Sequence, residues 1–105
     1  MAGYVPDKHG PQAGTTSYAD IVASDGTNQH IIRTLTMVNH SASARLVNVS
    51  IGAGADATDI VEETIPAGVT RVYNGWWVVP TSTAVQVKQD TGTDVTFTVS
   101  GYHFT

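Results

Sequence analysis

Asp94-Val95-Thr96-Phe97-Thr98-Val99-Ser100-Gly101-Tyr102-His103-Phe104 is the stretch that decides the fold class. Val95, Phe97 and Val99 alternate with Thr96, Thr98 and Ser100, a period of two that gives an extended chain one apolar and one polar face. Valine, threonine and phenylalanine also favour a pleated, half-buried surface. A strand this long at the end of the chain is expected in the interior of a sheet.

Working outward, the same period recurs upstream between clusters of turn-forming residues. Val85 and Val87 share one face of a strand at 83–89, set between Pro80-Thr81-Ser82 and Asp90-Thr91-Gly92-Thr93. Residues 29–39 place Ile31, Arg33, Leu35 and Met37 on one face and Ile32, Thr34, Thr36 and Val38 on the other, which predicts a central strand. At 44–51, Val47, Val49 and Ile51 alternate with Leu46, Asn48 and Ser50, a half-buried pattern. A first strand over 15–23 ends in the turn residues Ser24-Asp25-Gly26-Thr27-Asn28.

The middle of the chain is less regular. A small-residue loop at 52–59 leads into a strand at 60–65 that Pro66 terminates, and Pro66-Ala67-Gly68 predicts a hairpin-like reversal. Asn74-Gly75 suits a tight hairpin turn, but one strand over 69–79 bulged at Gly75, carrying Tyr73, Trp76 and Trp77, is preferred. Strands repeating in this way, with no helical period between them, predict an all-β protein. The expected architecture is an antiparallel β-sandwich of seven or eight strands, jelly-roll or immunoglobulin-like. Residues 1–14, with two prolines and three glycines, read as an extended N-terminal arm lying outside the core, and residues 15–105 as a single domain.

Composition narrows the function classes. Charged residues make up 13% of the 105 residues, against about 25% in an ordinary domain, so the surface is mostly neutral and polar and suits a packed assembly. The net charge is −4, and Lys8, Arg33, Arg45, Arg71 and Lys88 are scattered, so no positive face for nucleic acid is expected. There is no cysteine for disulfides or thiolate metal sites. No secretory signal pattern and no run of 18 apolar residues occurs, so neither export nor a membrane partner is expected.

No motif carries catalysis. Among the four histidines, His9, His30, His40 and His103, none shares an element with another at ligand spacing, so ordinary polar positions are expected. A zinc site would need three of them to converge with a carboxylate, and a metal-dependent enzyme built on His9, His30 or His103 is the remotest alternative. Asp56, Asp59, Glu62 and Glu63 crowd one loop and strand start, but not at EF-hand spacing, and a solvated acidic loop is expected there. Glu62 and Glu63 point to opposite faces and so do not share acid and base duties. Neither a nucleophile elbow nor a phosphate loop is present. The expectation is no enzyme, no cofactor and no metal. Trp76 and Trp77, as neighbours on a strand, face opposite ways, so one is expected in the core and one outward at a contact or, alternatively, as a sugar platform.

Several segments in order resemble small β-sandwich virion proteins of tailed bacteriophages. They are Arg33-Thr34-Leu35-Thr36-Met37-Val38-Asn39-His40-Ser41, Ile51-Gly52-Ala53-Gly54, Ile65-Pro66-Ala67-Gly68, Gly75-Trp76-Trp77-Val78-Val79 and Val95 through Tyr102. The resemblance implies a virion protein of the capsid decoration type, or a tail or head-to-tail accessory subunit. It implies major capsid protein or other virion subunits as partners, and a homo-oligomer. A carbohydrate-binding module is the alternative from another class. The expected interface residues are Tyr4, Val5 and Pro6 in the arm with Tyr73, Trp76 and Trp77.

Overall fold

The computed structural model describes residues 3–52 and 58–104. Eight strands follow in order: β1 (Tyr4–Ala13), β2 (Ala19–Val22), β3 (His30–Asn39), β4 (Arg45–Ile51), β5 (Asp59–Ile65), β6 (Thr70–Val79), β7 (Val85–Gln89) and β8 (Val95–Phe104). They form two four-stranded antiparallel sheets, β1-β8-β3-β6 and β2-β7-β4-β5. Between the expected alternatives, this order decides for the jelly roll. β4 pairs with β5, β3 with β6, β2 with β7 and β1 with β8, as in one long nested hairpin; rolling it up adds the β3–β8 and β4–β7 pairings.

The apolar faces read from the period of two meet between the sheets. Val95, Phe97 and Val99 of β8 pack with Leu35, Met37, Val47, Val49, Val85 and Val87 in one buried cluster. β8 and β3 take the two interior positions of their sheet, as their apolar patterns require.

Strict alternation fails at one place. Ile32, and not Ile31, joins Leu35 and Met37 in the core cluster, because β3 spends two residues, from Ile32 to Thr34, where β8 spends one, from Gly101 to Ser100. The extra residue is Arg33, and this bulge inverts the facing of β3 on either side of it. β6 runs unbroken through Asn74-Gly75, with a matching register shift against β3, so the bulged-strand reading holds over the hairpin turn. A Cβ at Gly75 would stand 2.8 Å from the Trp77 ring, so the bare position lets that indole lie along its own strand.

Two expectations change. Pro66-Ala67-Gly68 does form a turn, with Val69 N–H donating to the Pro66 carbonyl and Gly68 at φ +70, but it carries the chain from one sheet to the other. Asn39 pins that crossover: wholly buried, its amide donates to the carbonyls of Ser43, Ile65 and Pro66 and its oxygen accepts from Ser41 N–H. The stretch read as an arm is extended, but residues 4–13 form β1, an edge strand paired with β8 from Tyr4–Phe104 to Ala13–Thr96. Pro6 and Pro11 lack an N–H and so suit only such an edge.

Candidate functional site

Antiparallel pairing of β1, β8, β3 and β6 sorts one end of their sheet into two faces. On the outer face, Pro6 stands opposite Tyr102, Tyr102 opposite Ile31, and Ile31 opposite Val78. An apolar row thus crosses all four strands in register. Tyr4 extends it at the β1 edge, its ring 6.1 Å from Tyr102 and 4.6 Å from Phe104. Trp76 extends it at the β6 edge, where the Arg33 guanidinium released by the bulge lies 4.9 Å from the indole centre.

Among the described residues, the large apolar side chains left exposed are Tyr4, Val5, Val72, Trp76, Val78 and Tyr102, and all but Val5 point out of this face. Trp76 is 57% and Tyr4 64% exposed. The outer face of the second sheet is different, carrying Gln86, Lys88, Glu62 and Thr64, with Gln86 bonded to Asp20 and Lys88 over Tyr18. Exposed apolar groups gathered on one face make that face the candidate contact surface.

The expected interface residues divide between the faces. Tyr4, Pro6 and Trp76 lie on the outer face; Val5, Tyr73 and Trp77 face inward. Trp77 packs against the core, so the tryptophan pair splits as strand geometry demands. Tyr73 reaches across to the other sheet and donates to Glu63, which also pairs with Arg71 at 3.5 Å. Burial first, then that hydrogen bond and the Glu63 charge, push the Tyr73 hydroxyl up to about 12. Of the acidic group considered for calcium, Glu63 is thus engaged, Asp59 accepts from Tyr18 and Asn48, and Asp56 lies outside the described residues.

Directly behind the apolar row, the inner face is polar. Asp7, His30 and His103 are the chain neighbours of Pro6, Ile31 and Tyr102, and alternation turns them inward, where they meet. Asp7 Oδ2 lies 2.9 Å from His30 Nδ1 and Asp7 Oδ1 lies 2.9 Å from His103 Nδ1. His9 Nε2 stands 3.5 Å from the same carboxylate, and His30 Nε2 stands 3.4 Å from Asp25. Three of the four histidines therefore converge on one aspartate, although they lie on β1, β3 and β8. Their distance in sequence hid this. His40 stands apart, on Thr96.

Local geometry makes room for the cluster. Gly101 is opposite both Asp7 and Ile32, so no side chain fills the inner face between them, and a Cβ there would collide with the Ile31 carbonyl at the bulge. A cavity of ≈10 Å³, lined by Asp7, His9, His30, Ile32, Val99 and Gly101 among others, adjoins the cluster. Burial acts to raise the Asp7 pKa, but hydrogen bonds to His103 and His30 and the charges of His103 and His9 hold it below the usual carboxylate value. Asp25 is held down to about 2 by the backbone N–H groups of Thr27 and Asn28.

No family model and no curated protein matches this chain. Among solved structures, it is similar to a chain described as "Structure of infectious bursal disease virus Gt strain", at 12% identity and a TM-score of 0.23, over 99% of this chain and 30% of that one. A score this low carries no argument, and the fold assignment rests on the strand order.

Proposed function

We propose that this protein is a structural subunit of a bacteriophage virion, of the capsid decoration type, which docks on the shell through the outer face of the β1-β8-β3-β6 sheet and performs no catalysis. The observation that supports this is the set of exposed groups Tyr4, Pro6, Trp76, Val78 and Tyr102, gathered around the buried Ile31 on one face of one sheet. Aromatic groups and arginine are the side chains most enriched at the energetic centres of interfaces, and Trp76 with Arg33 supplies both. Many copies docking on a lattice of major capsid protein would add modest individual contacts through avidity. A low-charge surface keeps the ordering of side chains inexpensive when such contacts form.

A sugar platform is the weaker reading, because Arg33 already covers one face of the Trp76 indole. The test adds purified chain to phage shells that lack it and measures saturable binding and resistance to heat. Binding that Trp76→Ala and Tyr102→Ser abolish supports the proposal. Retention on tails in place of shells moves the protein to an accessory position on the virion. Failure to bind particles at all, or glycan binding lost in Trp76→Ala, overturns it.

A further inference from the structure

We infer that Asp7, His30 and His103 form a binding site for a divalent transition metal of the zinc class, and that the bound ion clasps strand β1 to β3 and β8. This inference does not depend on where the protein docks. The ligand atoms of Asp7, His30 and His103 all lie within 4.8 Å of one another. Around a tetrahedral zinc ion with bonds of about 2.0–2.2 Å, ligand atoms stand about 3.4 Å apart, so small side-chain rotations bring these three onto one ion. Two imidazoles and a carboxylate select zinc, nickel or cobalt over magnesium and calcium, which take oxygen ligands. The fourth position falls to a water in the adjoining cavity.

His30 adds a second geometric observation to the cluster. Both of its ring nitrogens face carboxylates, Nδ1 facing Asp7 at 2.9 Å and Nε2 facing Asp25 at 3.4 Å. A neutral imidazole has one donor and one acceptor, so with Nδ1–H on Asp7 it would turn a lone pair toward Asp25. A metal on Nδ1 removes the conflict: Nε2 then carries the proton and donates it to Asp25. This carboxylate–histidine–metal arrangement is the usual outer shell of imidazole ligands, and it fixes tautomer and ring orientation. Asp25 is itself held rigid by Thr27 and Asn28 N–H at 2.8 and 3.0 Å. The competing state is a doubly protonated His30 bridging Asp7 and Asp25 without metal.

The clasp would add a side-chain tie to the backbone ladder that joins β1 to β8. The half-buried positions of β1 are Asp7, His9 and Gln12, all polar, and no residue of β1 belongs to the hydrophobic cluster. Each of the three central ligands comes from a different strand, so one ion would join the edge strand to its neighbour β8 and to β3 beyond it.

The test titrates zinc into tag-free, chelator-treated full-length protein by calorimetry and follows amide exchange in β1. One zinc per chain and slower exchange across β1 on binding are expected. Asp7→Asn and His103→Gln should each weaken binding at least about tenfold, and Asp25→Asn by about 10–100-fold through His30. His40→Gln, on the outer face, should leave affinity unchanged, and circular dichroism establishes that each variant is folded. No saturable binding by folded wild-type protein, or binding that survives both Asp7→Asn and His103→Gln, overturns the inference and leaves a protonated His30 bridge.

Discussion

Replacing each member of the Trp76-Trp77 pair by alanine separates the two faces of the sheet by an energy large enough to measure. Trp77 is half-buried, packs against the core cluster and lies over Gly75. Truncating a buried aromatic costs about 3–5 kcal/mol, and the partial exposure of Trp77 places it near the lower end, at about 3 kcal/mol. Trp76 is 57% exposed, and the Arg33 guanidinium stacks on it at 4.9 Å. An exposed cation–π pair contributes about 0.5–1 kcal/mol, so Trp76→Ala should cost about 1 kcal/mol or less. The two variants should thus differ by about 2 kcal/mol, or about 1–2 M in the urea midpoint for a domain of this size. Urea unfolding followed by circular dichroism reads this directly. Docking should show the opposite order, with Trp76→Ala losing it and folded Trp77→Ala retaining it. Equal destabilisation by the two substitutions, or a larger loss for Trp76→Ala, would refute the inward facing of Trp77 and the outward facing of Trp76.

Asn39→Asp keeps the shape of the side chain but turns a carboxylate toward the carbonyls of Ser43, Ile65 and Pro66; with each unpaired or opposed buried group costing about 1–3 kcal/mol, a loss of about 3 kcal/mol or more is expected. An unchanged melting temperature would remove Asn39 as the pin of the crossover. Asp25 governs part of the acid response: its folded pKa, about 2, lies below its ordinary value of 3.8, so the stability it contributes is complete above pH 4 and lost as pH falls through 2. Unfolding midpoints stepped across that window should fall less steeply in Asp25→Asn than in the wild type, and parallel slopes would count against the cap on Thr27 and Asn28.

Much of the sandwich is legible in the order of residues alone. The alternation of Val95, Phe97 and Val99 and the opposed facing of Trp76 and Trp77 are local properties of a strand and survive folding intact. β1 was not legible as a strand, because its half-buried residues Asp7, His9 and Gln12 are polar and break the hydrophobic period on which such a reading depends. The facing of Ile31 and Ile32 was inverted by the bulge at Arg33, which a count of residues from either end of the strand does not reveal.

The amino-acid sequence by itself therefore determined seven of the eight strands, the two-layer class and most residues of the central core, since each follows from near-neighbour chemistry along the chain. Tertiary structure alone decided that the strands roll up as a jelly roll and not in an immunoglobulin-like order, because pairing between strands as distant as β1 and β8 is set by how the whole sheet closes. It also decided the site. Pro6, Ile31 and Tyr102 become one outer row, and Asp7, His30 and His103 one inner cluster, only when three strands remote in sequence come into register.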